Sequence, residues 1–310
     1  MLEKVIESCK YVSNNSKYVK INEKSLNEFI SSIKQIQLTH WLSSSPYGLL
    51  EIPIDKIINF LLVYESINFS FWGNPKWTIE VKDKKEDGSM ALLYTILKYV
   101  KANDTTDFSN ITKEKFSVML KGNVEIPLFE ERYNIIKSVS KIVNEKMNGN
   151  FYNFIKNINN DIELFKTIIN YFPSFKDERT YQGQKIYFYK LAQLLTSDIL
   201  HIRELKENIK VDYSHLVGCS DYKIPQVMRG LGILEYNKEL ASLVDNKEEI
   251  KENSEYEVEI RASMIVVIDI IKEKLNNKFC AIDINDYIWG QARNQNIKLK
   301  PYHLTRNTNY

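Results

Sequence analysis

Glycine and proline are scarce. The 310 residues include ten Gly and seven Pro, too few for collagen, for several glycine-rich phosphate loops or for a turn-dense β-sandwich. Cysteine is scarcer still. Cys9, Cys219 and Cys280 are odd in number, far apart and without a CxxC pair, which reads as reduced thiols in a cytoplasmic protein. The longest apolar runs, such as Phe60 to Val63, are far short of a membrane span. The first ten residues, MLEKVIESCK, mix acid and base within an apolar stripe and do not read as a signal peptide. A charge excess is also missing: 42 basic against 40 acidic residues leaves +2. That balance argues against a stable nucleic-acid partner but leaves room for one small anionic substrate.

The motif inventory is equally thin. His40, His201, His215 and His303 have no partner at metal-ligand spacing and HExxH is absent, so no metal site is expected. Gly230 and Gly232 begin a GxG, but Glu235 stands where a dinucleotide loop needs its third glycine. This reads as a helix end and a turn. GxSxG and GxxxxGK[ST] are absent.

What is present is helical periodicity, with 44% hydrophobic and 12% aromatic residues. Leu2, Val5, Ile6, Cys9 and Val12 share a face. Ser25 with Glu28 predicts a capping box for a second helix; a third is predicted near Pro53, and a fourth after Ser89. Further patterns run through 129–147, 161–171, 186–206, 224–231, 257–276 and 283–293. Strand signals are few: Asn68–Trp72 and Trp77–Val81 alternate weakly and predict a small ribbon. The polar stretches Lys82–Gly88 and Lys247–Ser254 read as exposed connections. The expected fold is mainly α with a small β-ribbon, as a single domain over 1–310 or two interlocked helical lobes within it.

Three segments carry chemical interest. Asp221 stands just before a helix whose first turn takes Pro225. It reads either as a cap on free backbone amides or as a carboxylate aimed into a cleft. The aromatic cluster Asn68–Trp72 with Trp77 reads as core packing or as a stacking wall for a flat base. Lys190, among apolar and aromatic neighbours, reads as a snorkelling lysine or as one reaching a phosphate.

These segments belong to a series that resembles the queuosine-salvage glycosylase/hydrolase family. The series is NFSFW (68–72), GSMALL (88–93), RTYQG…FYKLAQLL (179–195), SDYKIPQVMRGLGIL (220–234), EVEIRA (257–262), DYIW (286–289) and PYHLTRNTNY (301–310), in the family's order. The resemblance implies a mainly α fold like that of helix-hairpin-helix DNA glycosylases and no cofactor. It implies release of queuine from queuosine 5′-monophosphate, a small-molecule nucleotide substrate, leaving ribose 5-phosphate. It also implies that Asp221, within Ser220-Asp221-Tyr222, is the catalytic aspartate and that Lys190 is a phosphate contact. Arg261 and Arg306 are further candidate anchors for the phosphate by their charge. His40 falls near a base-contacting histidine. Cys219 stands where relatives have a phenylalanine, and Asn285 and Gly290 where they often have aspartates; either Asp286, in the same segment as Trp289, takes over, or the base is held by fewer carboxylates. The alternatives are an N-glycosylase for another nucleoside or nucleotide, and a non-catalytic helical module that binds a nucleotide.

Overall fold

A computed structural model describes residues 1–294 and 296–310. The N-terminal part runs α1 (Leu2–Asn14), β1 (Val19–Ile21), α2 (Glu23–Ile33), two short 3-10 turns, and α3 (Ile54–Ser66). Then come β2 (Thr78–Val81), β3 (Lys84–Asp87), α4 (Gly88–Asn103), α5 (Lys113–Met119), α6 (Phe129–Lys146), α7 (Phe151–Ile155) and α8 (Asp161–Tyr171). The C-terminal part is β4 (Glu178–Tyr181), β5 (Gln184–Tyr187), α9 (Lys190–Glu207), α10 (Lys223–Gly230), β6 (Leu234–Tyr236), α11 (Lys238–Asp245), α12 (Glu255–Lys274) and α13 (Ala281–Gln291). The expected mainly α architecture is what is found. Among the described residues, strands occur only as three two-stranded antiparallel ribbons, β1–β6, β2–β3 and β4–β5. No helix among the described residues is long and apolar enough to cross a membrane.

Two helices form the floor of the molecule's interior. Every residue of α3 from Ile57 to Ser66 is buried, as expected of a helix surrounded by protein on all sides. It packs on α9, while α1 lies along α12 and ties the two ends of the chain together. One continuous apolar core runs from Leu2 to Ile288. Caps set several helix starts: Asn22, Thr112, Asn160, Asn237 and Ser254 each accept a backbone N–H from three residues on, satisfying donors that a helix start leaves free.

Several expectations need correction. The second helix starts at Glu23 under an Asn22 cap, not at Ser25. Asn68–Trp72 is not a strand; the ribbon pairs Thr78–Val81 with Lys84–Asp87, so most of the polar stretch 82–88 is strand. The helix read from residue 186 begins at Lys190, because Gln184–Tyr187 pairs with β4. Gly232, at φ +73° after the end of α10, makes the turn into β6, as the incomplete glycine motif suggested.

Asn68–Trp72 is irregular because its backbone is held from two other sides. Arg132 on α6 is fully buried between the rings of Phe69 and Phe71. It donates to the carbonyls of Ile67, Phe69, Ser70 and Pro127. From the other side the C-terminal tail closes in. Ser70 N donates to Tyr310 O at 2.7 Å, and Ser70 Oγ donates to Asn307 O at 2.8 Å. Two of the family-like segments, 68–72 and 301–310, are thus one structural unit.

Candidate active site

The loop and tail form one side of a cavity of about 380 Å³. Its wall is drawn from α3, the 68–72 loop, the start of α4, α9, the turn before α10, α13 and the tail. Of the residues nominated from sequence, Lys190, Cys219, Asp221, Tyr222, Asn285, Asp286 and Trp289 line it.

Asp221 sits at the turn where α10 begins. Its Oδ1 accepts from Lys223 N at 2.8 Å and Ile224 N at 2.9 Å. The cap reading therefore describes Oδ1. Both amides take the same oxygen, which leaves Oδ2 for the cavity. Burial pushes the Asp221 carboxyl above its usual value, opposed first by the charge of Lys190 and then by the two amides.

The nominated residues that do not line the cavity lie behind or outside its wall. Arg261 is fully buried on α12, with Nη2 2.5 Å from Asp177 Oδ2 and Nη1 3.4 Å from Glu257 Oε1. It also donates to Ser220 O at 3.1 and 3.3 Å, and Ser220 Oγ donates back to Arg261 O. Burial alone would raise the Asp177 carboxyl, but Arg261 and Arg179 hold it below its usual range. Arg261 is therefore spent on fixing the backbone next to Asp221. His40 is also behind the wall. Its Nδ1 accepts from Leu42 N, so a neutral ring carries its proton on Nε2, which faces Ser197 Oγ at 3.2 Å and Asp198 at 3.4 Å. Burial, with the neighbouring His201, keeps the ring neutral. Arg306 is half exposed over Trp72, 3.5 Å from Glu249.

The inner end of the cavity is acidic. Glu65 and Asp286 line it, and Asp198 lies just behind. Asp286 accepts from Trp41 N at 3.3 Å and from Asn285 Nδ2 at 3.3 Å, while Asn285 Oδ1 accepts from Cys219 N at 2.9 Å. Burial pushes the carboxyls of Glu65 and Asp286 up to about 7, and that of Asp198 well above its usual value. The Cys219 thiol is likewise raised by burial and stays neutral.

The outer end is cationic. Lys76, Lys223 and Arg293 line it together with Gly88, Ser89 and Met90, the first turn of α4. Asp87 at the cap position makes no side-chain bond to those amides; it pairs with Lys76 at 2.7 Å instead. Lys223 is made easier to deprotonate, first by burial and then by the charge of Lys76, with Arg293 adding to this. Like charges held together at a helix N-terminus favour an anion between them. Glu65, Lys76, Lys223 and Arg293 were not nominated from sequence; the one available signal was a lone acid closing the apolar run of α3.

A separate group, Asp161, Asp212 and His215, brings ligating atoms close together. It is off the cavity wall, and Asp161 is already taken by the His215 amide at 2.7 Å and Nδ1 at 3.0 Å.

A family model described as queuosine salvage protein matches residues 51–310. The chain belongs to the queuosine salvage family. Several relatives share the name queuosine 5′-phosphate N-glycosylase/hydrolase. One from Sphaerobacter thermophilus is 32% identical over 265 residues, 83% of this chain and 82% of its own. One from Dictyostelium discoideum is 27% identical over 97% of both chains. One from Bos taurus is 26% identical over 97% of this chain and 96% of its own. Six of the seven family-like segments place residues on the wall of one cavity, together with Asp221, a group of carboxyls and a group of cations, while 257–262 lies behind it.

The raised carboxyls make a stability prediction. A carboxyl whose folded value is raised contributes stability that is present below its unfolded value and lost as pH rises through the folded one. For Asp286 that window runs from about 4 to about 7. The buried neutral His40, His201 and His303, all held low, act oppositely as pH falls below about 6.5. The comparison is therefore made by difference. The melting temperature of Asp286→Asn relative to the wild type should climb between pH 5 and 8, whatever its absolute level. A flat difference would mean that Asp286 ionises normally in the folded protein.

Proposed function

We propose that the chain hydrolyses the N-glycosidic bond of queuosine 5′-monophosphate, releasing queuine and ribose 5-phosphate. The observation that carries this reading is the order of charge along the cavity. Asp221 feels the charges of both Lys190 and Lys223. Lys190 also acts on Glu65 and Cys219 at the acidic end, and Lys223 belongs to the cationic end. A nucleoside monophosphate of a guanine-like base has the complementary order. Its base presents N–H donors at N1 and the 2-amino group, its sugar lies between, and its phosphate is anionic.

In this reading the acidic end accepts the donor edge of the base, and Trp289, Phe71 and Tyr222 supply flat contact area. The phosphate binds at the start of α4 and between Lys223, Lys76 and Arg293. Lys190 then serves Asp221 and Glu65 rather than the phosphate. Positive charge builds at C1′ as the bond to the base lengthens, and the Asp221 carboxylate faces it as electrostatic stabiliser or nucleophile. Binding energy from the phosphate is remote from the breaking bond and can be used for positioning at C1′. Cys219 offers less stacking area than a phenylalanine, and the carboxyl at position 286 takes the place of one at 285. The chain is read as one domain over 1–310.

A substrate panel resolved by chromatography tests the reading. Free queuine from the monophosphate is expected, with slower release from the nucleoside. Faster release of another base, or tight binding with no product, would overturn it. Lys223→Ala should lower kcat/KM on the monophosphate about 10–100-fold, the worth of one charged hydrogen bond, and leave the nucleoside within about three-fold. Equal losses on both would remove the phosphate from this end of the cavity.

A further inference from the structure

The inner end of the cavity holds two carboxyl oxygens that no donor satisfies. Glu65, the penultimate residue of α3, is fully buried and on the cavity wall. Its Oε2 accepts from Asn68 Nδ2 at 2.9 Å, but its Oε1 has no donor among the described residues. Asp198 on α9 is its counterpart. Oδ1 accepts from Trp41 Nε1 at 2.9 Å, and Oδ2 has no donor. The two carboxyls act on one another as near neighbours. Ionised carboxylates are acceptors only, so a proton held by the pair is what would satisfy their free oxygens. Adjacent buried carboxyls also cannot both ionise cheaply.

We propose that Glu65, holding a proton shared with Asp198, is the catalytic acid that protonates the departing base. This deepens the function proposed above and rests on it. The groups facing the pair are Lys190 from α9, Asp286 from α13, the Cys219 thiol, Tyr64, and neutral His40, 3.4 Å from Asp198. Lys190 first, then Asn68 and Asp198, favour the Glu65 anion, yet burial outweighs them and leaves Glu65 at about 7. The proton is therefore held near neutral pH and can still be given up.

The substrate needs such a donor. A 7-deazapurine has carbon at position 7, so the ring nitrogen that other purines protonate there is absent. As the C1′–N9 bond breaks, its electron pair moves into the base, and the proton from Glu65 joins a ring nitrogen or O6, so the base leaves neutral. Water adds to C1′ and releases one proton, taken up at Asp221. That proton returns to the Glu65–Asp198 pair before the next turnover, and nothing is oxidised or reduced. A positioned acid of this kind contributes about 10²–10⁴-fold.

Glu65→Gln keeps the size of the side chain and a hydrogen bond to Asp198 but has no proton to transfer. On queuosine 5′-monophosphate its kcat should fall about 10²–10³-fold with KM within about three-fold. The wild-type decline in kcat above about pH 7 should vanish. Asp198→Asn, a second variant should the first fold poorly, should also lose that decline. Difference infrared spectroscopy at neutral pH, wild type minus Glu65→Gln, should show the loss of one protonated-carboxyl band, those of Asp198 and Asp286 remaining. Unchanged kcat, a change confined to KM, a decline retained in the variant, or no such band would each overturn the proposal. The infrared band needs no substrate. A wild type that shows the band yet releases no queuine would contradict the proposed function rather than the shared proton.

Discussion

Asp221→Asn is expected to fold normally and to release queuine from queuosine 5′-monophosphate at least about 10²–10³-fold more slowly, the cost of removing one preorganised electrostatic contact. The variant separates two roles that one side chain combines. Asparagine keeps an oxygen that can accept from the amides of Lys223 and Ile224, so the start of α10 should persist. It lacks the negative charge that we propose faces C1′. Asp221→Ala removes both, and should lose about 1 kcal/mol of stability in addition. If Asp221→Asn turned over at near the wild-type rate, Asp221 would be a cap and nothing more.

Arg261→Met is expected to be the most destabilising of the substitutions considered, by about 3–5 kcal/mol, or roughly 10 °C in melting temperature. The side chain is fully buried between Asp177, Glu257 and the Ser220 carbonyl. Its loss takes one donor from each of two buried carboxylates, which keep Arg179, and removes the guanidinium from the Ser220 carbonyl, in a site closed to water. Because Ser220 precedes Asp221, activity of the folded fraction should fall as well. Arg306→Ala is the control. That residue is half exposed, and its contact with Glu249 spans 3.5 Å, so a change below about 1 kcal/mol is expected. A thermal melt that ranked the two variants equally would contradict the buried network.

The two arginines mark where sequence reading stops. Both stood in family-like segments and both were nominated as phosphate anchors, but only the fold distinguishes a buried strut from a surface side chain. The long helices were legible because their apolar periodicity is strong: α1, α4, α6 and α12 fall close to where the pattern puts them. Of the three- and four-residue strands only Thr78–Val81 was, within the alternation of Trp77–Val81. Lys84–Asp87 is all charged, and its pairing partner, not its own composition, makes it a strand. Asp221 was legible because a carboxylate ahead of a Pro-containing first turn is a local signal. The cationic end of the cavity was not, since Lys76, Lys223 and Arg293 come from three distant segments that meet only in the folded chain. Arg132, which no sequence motif marked, was hidden likewise: it binds the 67–70 backbone from behind.

The arrangement of a bound nucleotide tests the whole reading most directly. A crystal structure of Asp221→Asn soaked with queuosine 5′-monophosphate should have the base between Glu65 and Asp286, C1′ against residue 221, and the phosphate beside Lys223 at the start of α4. A nucleotide bound in the reverse sense, or seated outside this cavity, would contradict it.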